Sequence, residues 1–207
     1  MRSAIPKKSV YRLSVYLRCL DQLHETGVLM VSSHALALAA GVKPTQLRKD
    51  LTFFGHFGTR GLGYEVATLR EKIRDVLGRK ELRPVVLVGV GNLGAALMNY
   101  KSFEKEGFEV VAGFDLDTSR RSKLRQPVLS MEELKSFVRS HRVKMAIITV
   151  PAAVAQSAAD HLVSAGITAV LNFAPVVLRV PSHIVVSNVN LAIELENLSY
   201  FRSLAEH

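Results

Sequence analysis

The sequence contains one cysteine, Cys19, and no tryptophan. A single cysteine excludes an internal disulfide framework and any all-cysteine metal site, and a reducing cytoplasm is the simplest compartment for such a chain. Long apolar runs are also missing. None approaches the ~18 residues a membrane-spanning helix needs, and the stretch starting at Met145 is broken by Pro151 and Gln156. Met1–Ser9 is basic but has no apolar segment behind it, so no secretory signal is expected there. Acid is scarce relative to base, with 18 Asp+Glu against 27 Lys+Arg, a net charge of +9. With 48% hydrophobic and 22% charged residues the composition is that of a globular chain, which excludes global disorder.

The positive surplus sits at one end. Residues 1–80 hold 14 Lys+Arg and 6 Asp+Glu, a net of +8, whereas residues 81–207 carry only +1. Gly78–Pro84 reads as a linker between the two regions. In the basic region, Pro6 suits a helix start, Leu13, Tyr16, Leu17, Leu20 and Leu23 recur at helical spacing, and Gly27 is a stop. Ser32 or Ser33 caps a short helix to Ala40, and a third helix is expected from Thr45 to Phe54. Two short helices around a Gly-containing turn make a helix-turn-helix. Leu47, Leu51 and Phe54 should face inward, leaving Gln46, Arg48, Lys49 and Thr52 on the sides or outside. In this motif the early residues of the second helix meet base edges: Arg pairs with guanine and Gln with adenine, while Lys and Thr more often hold phosphate. Four glycines in Gly55–Gly63 permit a tight hairpin with Arg60 near its tip, a wing suited to the minor groove. Another helix is expected over Thr68–Leu77. These features predict a winged helix that binds double-stranded DNA.

The larger region opens on an apolar strand, Val85–Val88, followed by Gly89-Val90-Gly91-Asn92-Leu93-Gly94 and a helix beginning at Ala95. A Gly-x-Gly-x-x-Gly between strand and helix is the dinucleotide fingerprint: the glycines allow a tight turn, a close approach of backbone to pyrophosphate, and close helix–strand packing. Glu109–Phe114 reads as a second strand. It ends in Asp115, 24 residues after Gly91, where a carboxylate accepts bonds from the ribose hydroxyls and favours NAD(H) over NADP(H). The nearby Arg120, Arg121, Lys123 and Arg125 pull the other way. Ser130-Met131-Glu132-Glu133 is a capping box for a helix to His141. Strands are expected at Lys144–Val150, Ile167–Leu171 and Ile184–Ser187, with a helix over Pro151–Ala165. This alternation implies an α/β, Rossmann-like parallel sheet. Thr149-Val150-Pro151 and Asn172-Phe173-Ala174-Pro175 lie at strand ends and could line a nicotinamide pocket. A last helix, Leu191–Ala205, carries a stripe of Leu191, Leu195, Leu198, Phe201 and Leu204. It packs either on its own domain or, by exchange, on a second subunit. The domains are thus drawn at 1–80, 81–190 and 191–207.

Catalytic equipment is not visible. The seven histidines are scattered, and no Tyr-x-x-x-Lys pair follows the fingerprint. No catalytic residue and no metal site is expected, and Cys19 reads as a small packed side chain. A dinucleotide fold without a positioned acid or base suggests a sensor rather than an oxidoreductase.

Tyr16-Leu17-Arg18, Arg48-Lys49-Asp50-Leu51, Phe54-Gly55, Gly58–Tyr64, the glycine fingerprint, Phe114-Asp115, Thr149-Val150-Pro151-Ala152 and Leu171–Pro175 occur in the order and combination of the Rex family, redox-sensing transcriptional repressors, which the sequence closely resembles. The resemblance implies a cytoplasmic homodimer that binds operator DNA with NAD⁺ and releases it with NADH, its last helix swapped onto the partner's basic domain. It also implies a switch in which an acid near the last helix alternates between an Arg and a Tyr, matched here by Arg18 and Tyr100. At the acid's position stands Asn190, followed by Leu191. Asn can hydrogen-bond but cannot form the charged pair, and neutral bonds are roughly half as strong as charge-assisted ones. Three other readings stay open: a repressor with a structural, redox-insensitive nucleotide; a small NAD-dependent oxidoreductase; and a sensor of CoA.

Overall fold

Leu13, Tyr16, Leu17 and Leu20, spaced three and four apart, form the buried face of helix α1 (Lys7–Glu25) in the computed structural model of the chain. The structure describes residues 5–55, 57–58, 62–79, 81–117 and 124–205. Arg60, Arg120, Arg121 and Lys123 lie outside these. Contacts divide the chain into two units, Met1–Glu81 and Leu82–His207.

In the first unit α1 is followed by strand β1 (Met30–Val31), α2 (Ser33–Ala39), α3 (Pro44–Thr52), strand β2 (Tyr64–Glu65) and α4 (Val66–Leu77). Ser32 is the cap of α2, its hydroxyl accepting from the Ala35 N–H at 3.0 Å. The third helix begins at Pro44, not Thr45, because proline suits the first helical position. It ends at Thr52, and Phe54 reaches the core from the turn beyond. The fourth begins at Val66, two residues earlier than expected, and the Thr68 hydroxyl instead bonds Glu65 at 2.6 Å. The antiparallel pairing of β1 with β2 is two residues long, too short to leave a pattern. A β-carbon on Gly58 would stand 2.7 Å from the Tyr64 ring and 3.0 Å from the Gly63 carbonyl oxygen, so the two legs of the glycine-rich segment meet there.

The second unit is built on one parallel sheet of β3 (Arg83–Val88), β4 (Phe108–Phe114), β5 (Val128–Leu129), β6 (Met145–Ile148), β7 (Ala169–Asn172) and β8 (Val185–Asn188). The spatial order is β5-β4-β3-β6-β7-β8, the doubly wound order whose crossover point lies between β3 and β6. Arg83 and Pro84, read above as linker, are already strand. The two-residue β5 has no counterpart in the sequence reading, nor has α6 (Ser102–Lys105). Alternation along β3 sends Val86 and Val88 to the face covered by α7 (Leu134–Ser140) and α8 (Ala152–Ala165). Val85 and Leu87 go to the face covered by α5 (Asn92–Met98). The capping box at Ser130 and Glu133 forms as expected, but it starts a 3-10 turn, Met131–Glu133, from which α7 continues. The last helix, α9 (Leu191–Ala205), follows β8. Among the described residues no helix is long and apolar enough to cross a membrane.

Asp50 holds the first unit together. It is fully buried on α3, one of the charged positions a helical wheel does not send inward by composition alone. Oδ1 accepts from Arg12 Nη2 at 2.7 Å and from Gln46 Nε2 at 3.0 Å; Oδ2 accepts from Arg12 Nε at 2.5 Å and from the Tyr16 hydroxyl at 2.8 Å. Burial pushes this carboxyl up, but hydrogen bonds from Arg12, Tyr16, Ser9 and Gln46 outweigh it and hold it at about 2. Burial and the carboxylate together raise the Tyr16 phenol, which stays a donor. Because the folded value lies below the unfolded one, Asp50 stabilises the fold above pH ~4, and that contribution fades as pH falls through about 2. Its size is on the order of 2 kcal/mol. Asp50→Ala leaves Arg12 and Tyr16 facing a buried void and is expected to cost about 3 kcal/mol in urea unfolding at pH 7. The difference from wild type should shrink as the pH is lowered toward 2.

Candidate functional site

At the carboxyl end of β3 the chain turns through Gly89, whose φ of +97° is open to glycine and strained for other residues. A β-carbon there would stand 2.6 Å from Val150 Cγ1. At Gly94 it would stand 2.0 Å from the Gly89 carbonyl oxygen and 3.0 Å from Thr149 Oγ1. These two glycines let α5 settle against the ends of β3 and β6. At Gly91 nothing lies within 4 Å of the same position. The loop is therefore closed at two glycines and open at the third, which caps α5 beside the exposed Asn92 and Leu93. Open backbone at a helix start, at the crossover point of a parallel sheet, is chemistry for an anionic phosphate group.

Asp115 follows β4 and reaches into this loop. Its Oδ2 accepts from the Val90 N–H at 2.6 Å, and its Oδ1 accepts from the Asp117 N–H at 3.0 Å. Each oxygen keeps a further lone pair for a ribose hydroxyl. Val90 itself is 1% exposed, and its N–H donates to Asp115, which shapes the loop. From the other side, the Thr149 hydroxyl donates to the Gly89 carbonyl at 2.7 Å and ties β6 to the loop, while Val150 and Pro151 lead into α8.

The Asn172–Pro175 segment is a turn fixed by its own hydrogen bonds. Asn172 is fully buried: Nδ2 donates to the carbonyls of Ala174 and Val176 and to Asn188 Oδ1, and Oδ1 accepts from the Ala174 N–H. Asn172 and the buried Ala174 make a closed turn, while Phe173 is half-buried and Pro175 exposed. Tyr100 is 54% exposed and packs edge-on against Phe103 at 5.1 Å. Asn190 caps α9, its Oδ1 accepting from the N–H groups of Ala192 and Ile193 at 3.0 and 3.4 Å. The apolar stripe of α9, Leu191, Leu195, Leu198, Phe201 and Leu204, is 56–68% exposed, so it does not pack on its own domain.

In the first unit, Arg48 and Lys49 are exposed on α3. Arg48 Nη1 donates to Ser33 Oγ at 3.1 Å, which binds α3 to α2. The Thr52 hydroxyl turns back to the Lys49 carbonyl at 2.7 Å, and Gln46 is half-buried with its amide on Asp50. Lys72 Nζ lies 5.6 Å from the centre of the Phe57 ring in the glycine-rich segment. Arg18 is exposed on α1. Among the described residues no group of His, Cys, Asp and Glu could hold a metal ion. The buried hydrogen-bonding roles of Asp50 and Asn172 and the capping role of Asn190 have no local signal in the sequence; only the helical register of Asp50, three residues after Leu47, marks it as inward.

Comparison with known proteins bears on both units. A family model described as "CoA binding domain" matches residues 80–176, and one described as "Putative DNA-binding protein N-terminus" matches residues 4–52. The redox-sensing transcriptional repressor Rex of Pelotomaculum thermopropionicum is 44% identical over 95% of this chain and 93% of its own length. The crystal structure of RSP in complex with beta-NAD⁺ and operator DNA superposes with a TM-score of 0.91 at 36% identity, covering 99% of this chain and 95% of that one. The structure of RSP with beta-NADH gives 0.87 at 34% identity over 99% and 97%. With near-full-length similarity in sequence and in fold, the chain belongs to the Rex family of redox-sensing transcriptional repressors.

Proposed function

We propose that this protein is a cytoplasmic repressor that binds operator DNA through its first unit and NAD(H) through its second, with NADH favouring release. The observation that carries the reading is the loop closed at Gly89 and Gly94 and open at Gly91, in a chain whose first 80 residues hold almost all of the excess positive charge. Gly91, Asn92 and Leu93 receive the pyrophosphate. Asp115 takes the ribose. Thr149, Val150, Pro151, Phe173 and Pro175 border the nicotinamide end, and Asn172 with Ala174 holds the shape of that border. Arg48 and Lys49 on α3 contact the duplex, Lys49 chiefly through phosphate, and Arg60 in the glycine-rich segment enters the minor groove. The protein works as a homodimer joined through α9, whose exposed stripe asks for a second copy. It is a regulator and not an enzyme, as its named relatives are.

A second reading is favoured by Asn190: the nucleotide is bound, but the switch is weak because the residue at the head of α9 is neutral. A carboxylate fills the same cap position, so Asn190→Asp changes charge while preserving the helix start. On the switch reading Asn190→Asp strengthens NADH-driven release from an operator duplex in a mobility-shift titration, and equal release by both proteins refutes the part given to Arg18, Tyr100 and Asn190.

The cradle is tested by a pair of substitutions. Gly91→Ala leaves the melting temperature near wild type, because its φ of −75° and open surroundings accept a methyl group, yet weakens NADH binding at least tenfold in calorimetry. Gly94→Ala forces the helix off the loop and costs about 1–3 kcal/mol of stability. Heat evolved with CoA and none with NADH would transfer the site to the other ligand. For DNA, Lys49→Ala and Arg60→Ala each flatten the slope of log affinity against log salt by about one, and an unchanged slope in both removes them from the interface.

A further inference from the structure

We infer that Thr149 is a positioning residue for the adenosine-diphosphate half of the nucleotide. Thr149 stands at the nicotinamide border, yet its hydroxyl sets the peptide unit between Gly89 and Val90, from which the glycine loop takes its shape. The inference deepens the reading of this loop as the NAD(H) cradle and rests on it.

That peptide unit is held at both of its polar ends. Its N–H, that of Val90, donates to Asp115 Oδ2 at 2.6 Å. Its carbonyl, that of Gly89, accepts from the Thr149 hydroxyl at 2.7 Å. The two partners come from the strands on either side of β3: Asp115 follows β4 and Thr149 follows β6. The preceding N–H is committed as well, Gly89 donating to the Phe114 carbonyl at 2.8 Å. A hydroxyl has one proton to give. The Val88 carbonyl lies farther from Thr149 Oγ1, at 3.3 Å, and already accepts from the Thr149 N–H at 2.9 Å. The proton therefore goes to Gly89.

One bond leaves a peptide unit free to pivot about it. Two bonds, at its opposite ends and from opposite neighbours, do not. Turned over, the Gly89 carbonyl would meet the Asp115 carboxylate, acceptor against acceptor. There is no slack on the helix side either, because a β-carbon on Gly94 would stand 2.0 Å from the Gly89 carbonyl oxygen. A pivot of that carbonyl must therefore displace α5 or carry Val90 and Gly91 with it. Gly91 is the open point given above to the pyrophosphate, and Asp115 is the acceptor given to the ribose. Loss of the Thr149 hydroxyl is thus felt at the half of the ligand away from the nicotinamide.

The test titrates the full-length protein by calorimetry with NADH and with ADP-ribose, which keeps the adenosine and the pyrophosphate but has no nicotinamide. Thr149→Val keeps the side-chain shape and removes the hydroxyl, whereas Thr149→Ser keeps the hydroxyl. Titrations run well below the melting temperature of each protein, so a loss of stability alone leaves the affinity unmoved. Thr149→Val is expected to weaken both ligands by the same factor, about five- to tenfold. Its melting temperature without ligand should fall by no more than about 4 °C. Thr149→Ser should bind both ligands as the wild type does. Where Thr149→Val does not fold, Thr149→Ala takes its place. A loss confined to NADH, or clearly greater for it, places the hydroxyl on the nicotinamide and overturns the inference. Unchanged affinity for both ligands overturns it too, as does failure of Thr149→Ser to restore them or a wild type that binds NADH but not ADP-ribose. A wild type that binds neither overturns the NAD(H) reading of the loop itself.

Discussion

A carboxylate removed from water must find donors for its lone pairs, and in the first unit that demand is met at Asp50 by residues drawn from two helices. Arg12 and Tyr16 bring α1 to α3, and Gln46 closes the set. Apolar packing supplies most of the stabilisation, but it is indifferent to small rotations of one helix against another. A saturated ionic centre is not indifferent, because any rotation strands a charge. The orientation of α3, with Arg48 and Lys49 outward, follows from where Asp50 has to be. Asn172 performs the corresponding task in the second unit. Its amide is bonded at both ends within the turn after β7 and across to β8, so polar bonds add to apolar packing in holding the strand ends that border the crevice.

The parts that were legible in the sequence are those whose cause is local. The glycine loop can be read residue by residue, because each glycine has a separate steric reason visible in the pattern. The helices of the first unit were legible from spacing and caps to within two residues. The elements that escaped have distant causes. Strands β1, β2 and β5 are two residues long and exist through their partners, not through any run of their own. Asp50 lies in a charged stretch, Arg48-Lys49-Asp50, and only the register of the helix separates the inward acid from the outward bases. Asn172 stands at a strand end, where the pattern suggests a ligand contact; its hydrogen bond to Asn188, sixteen residues later, has no local signal.

The two units meet anions by different physics. Residues 1–80 carry a net charge of +8, and side-chain charge acts over a Debye length, screened by salt. The second is nearly neutral and offers oriented backbone amides at close range, where salt matters less. A rise in ionic strength therefore weakens one attachment far more than the other.

The cap at Asn190 separates two properties that are usually entangled. Exchanging the amide nitrogen of Asn190 for an oxygen would bring a full negative charge to the head of α9 and leave the bonds to Ala192 and Ile193 as they are. Charge at this point can be gained or lost in a lineage by single-base steps, with no intermediate that misfolds. The charge at the head of α9 is thus free to drift or be selected while the helix start stays under its own, independent constraint.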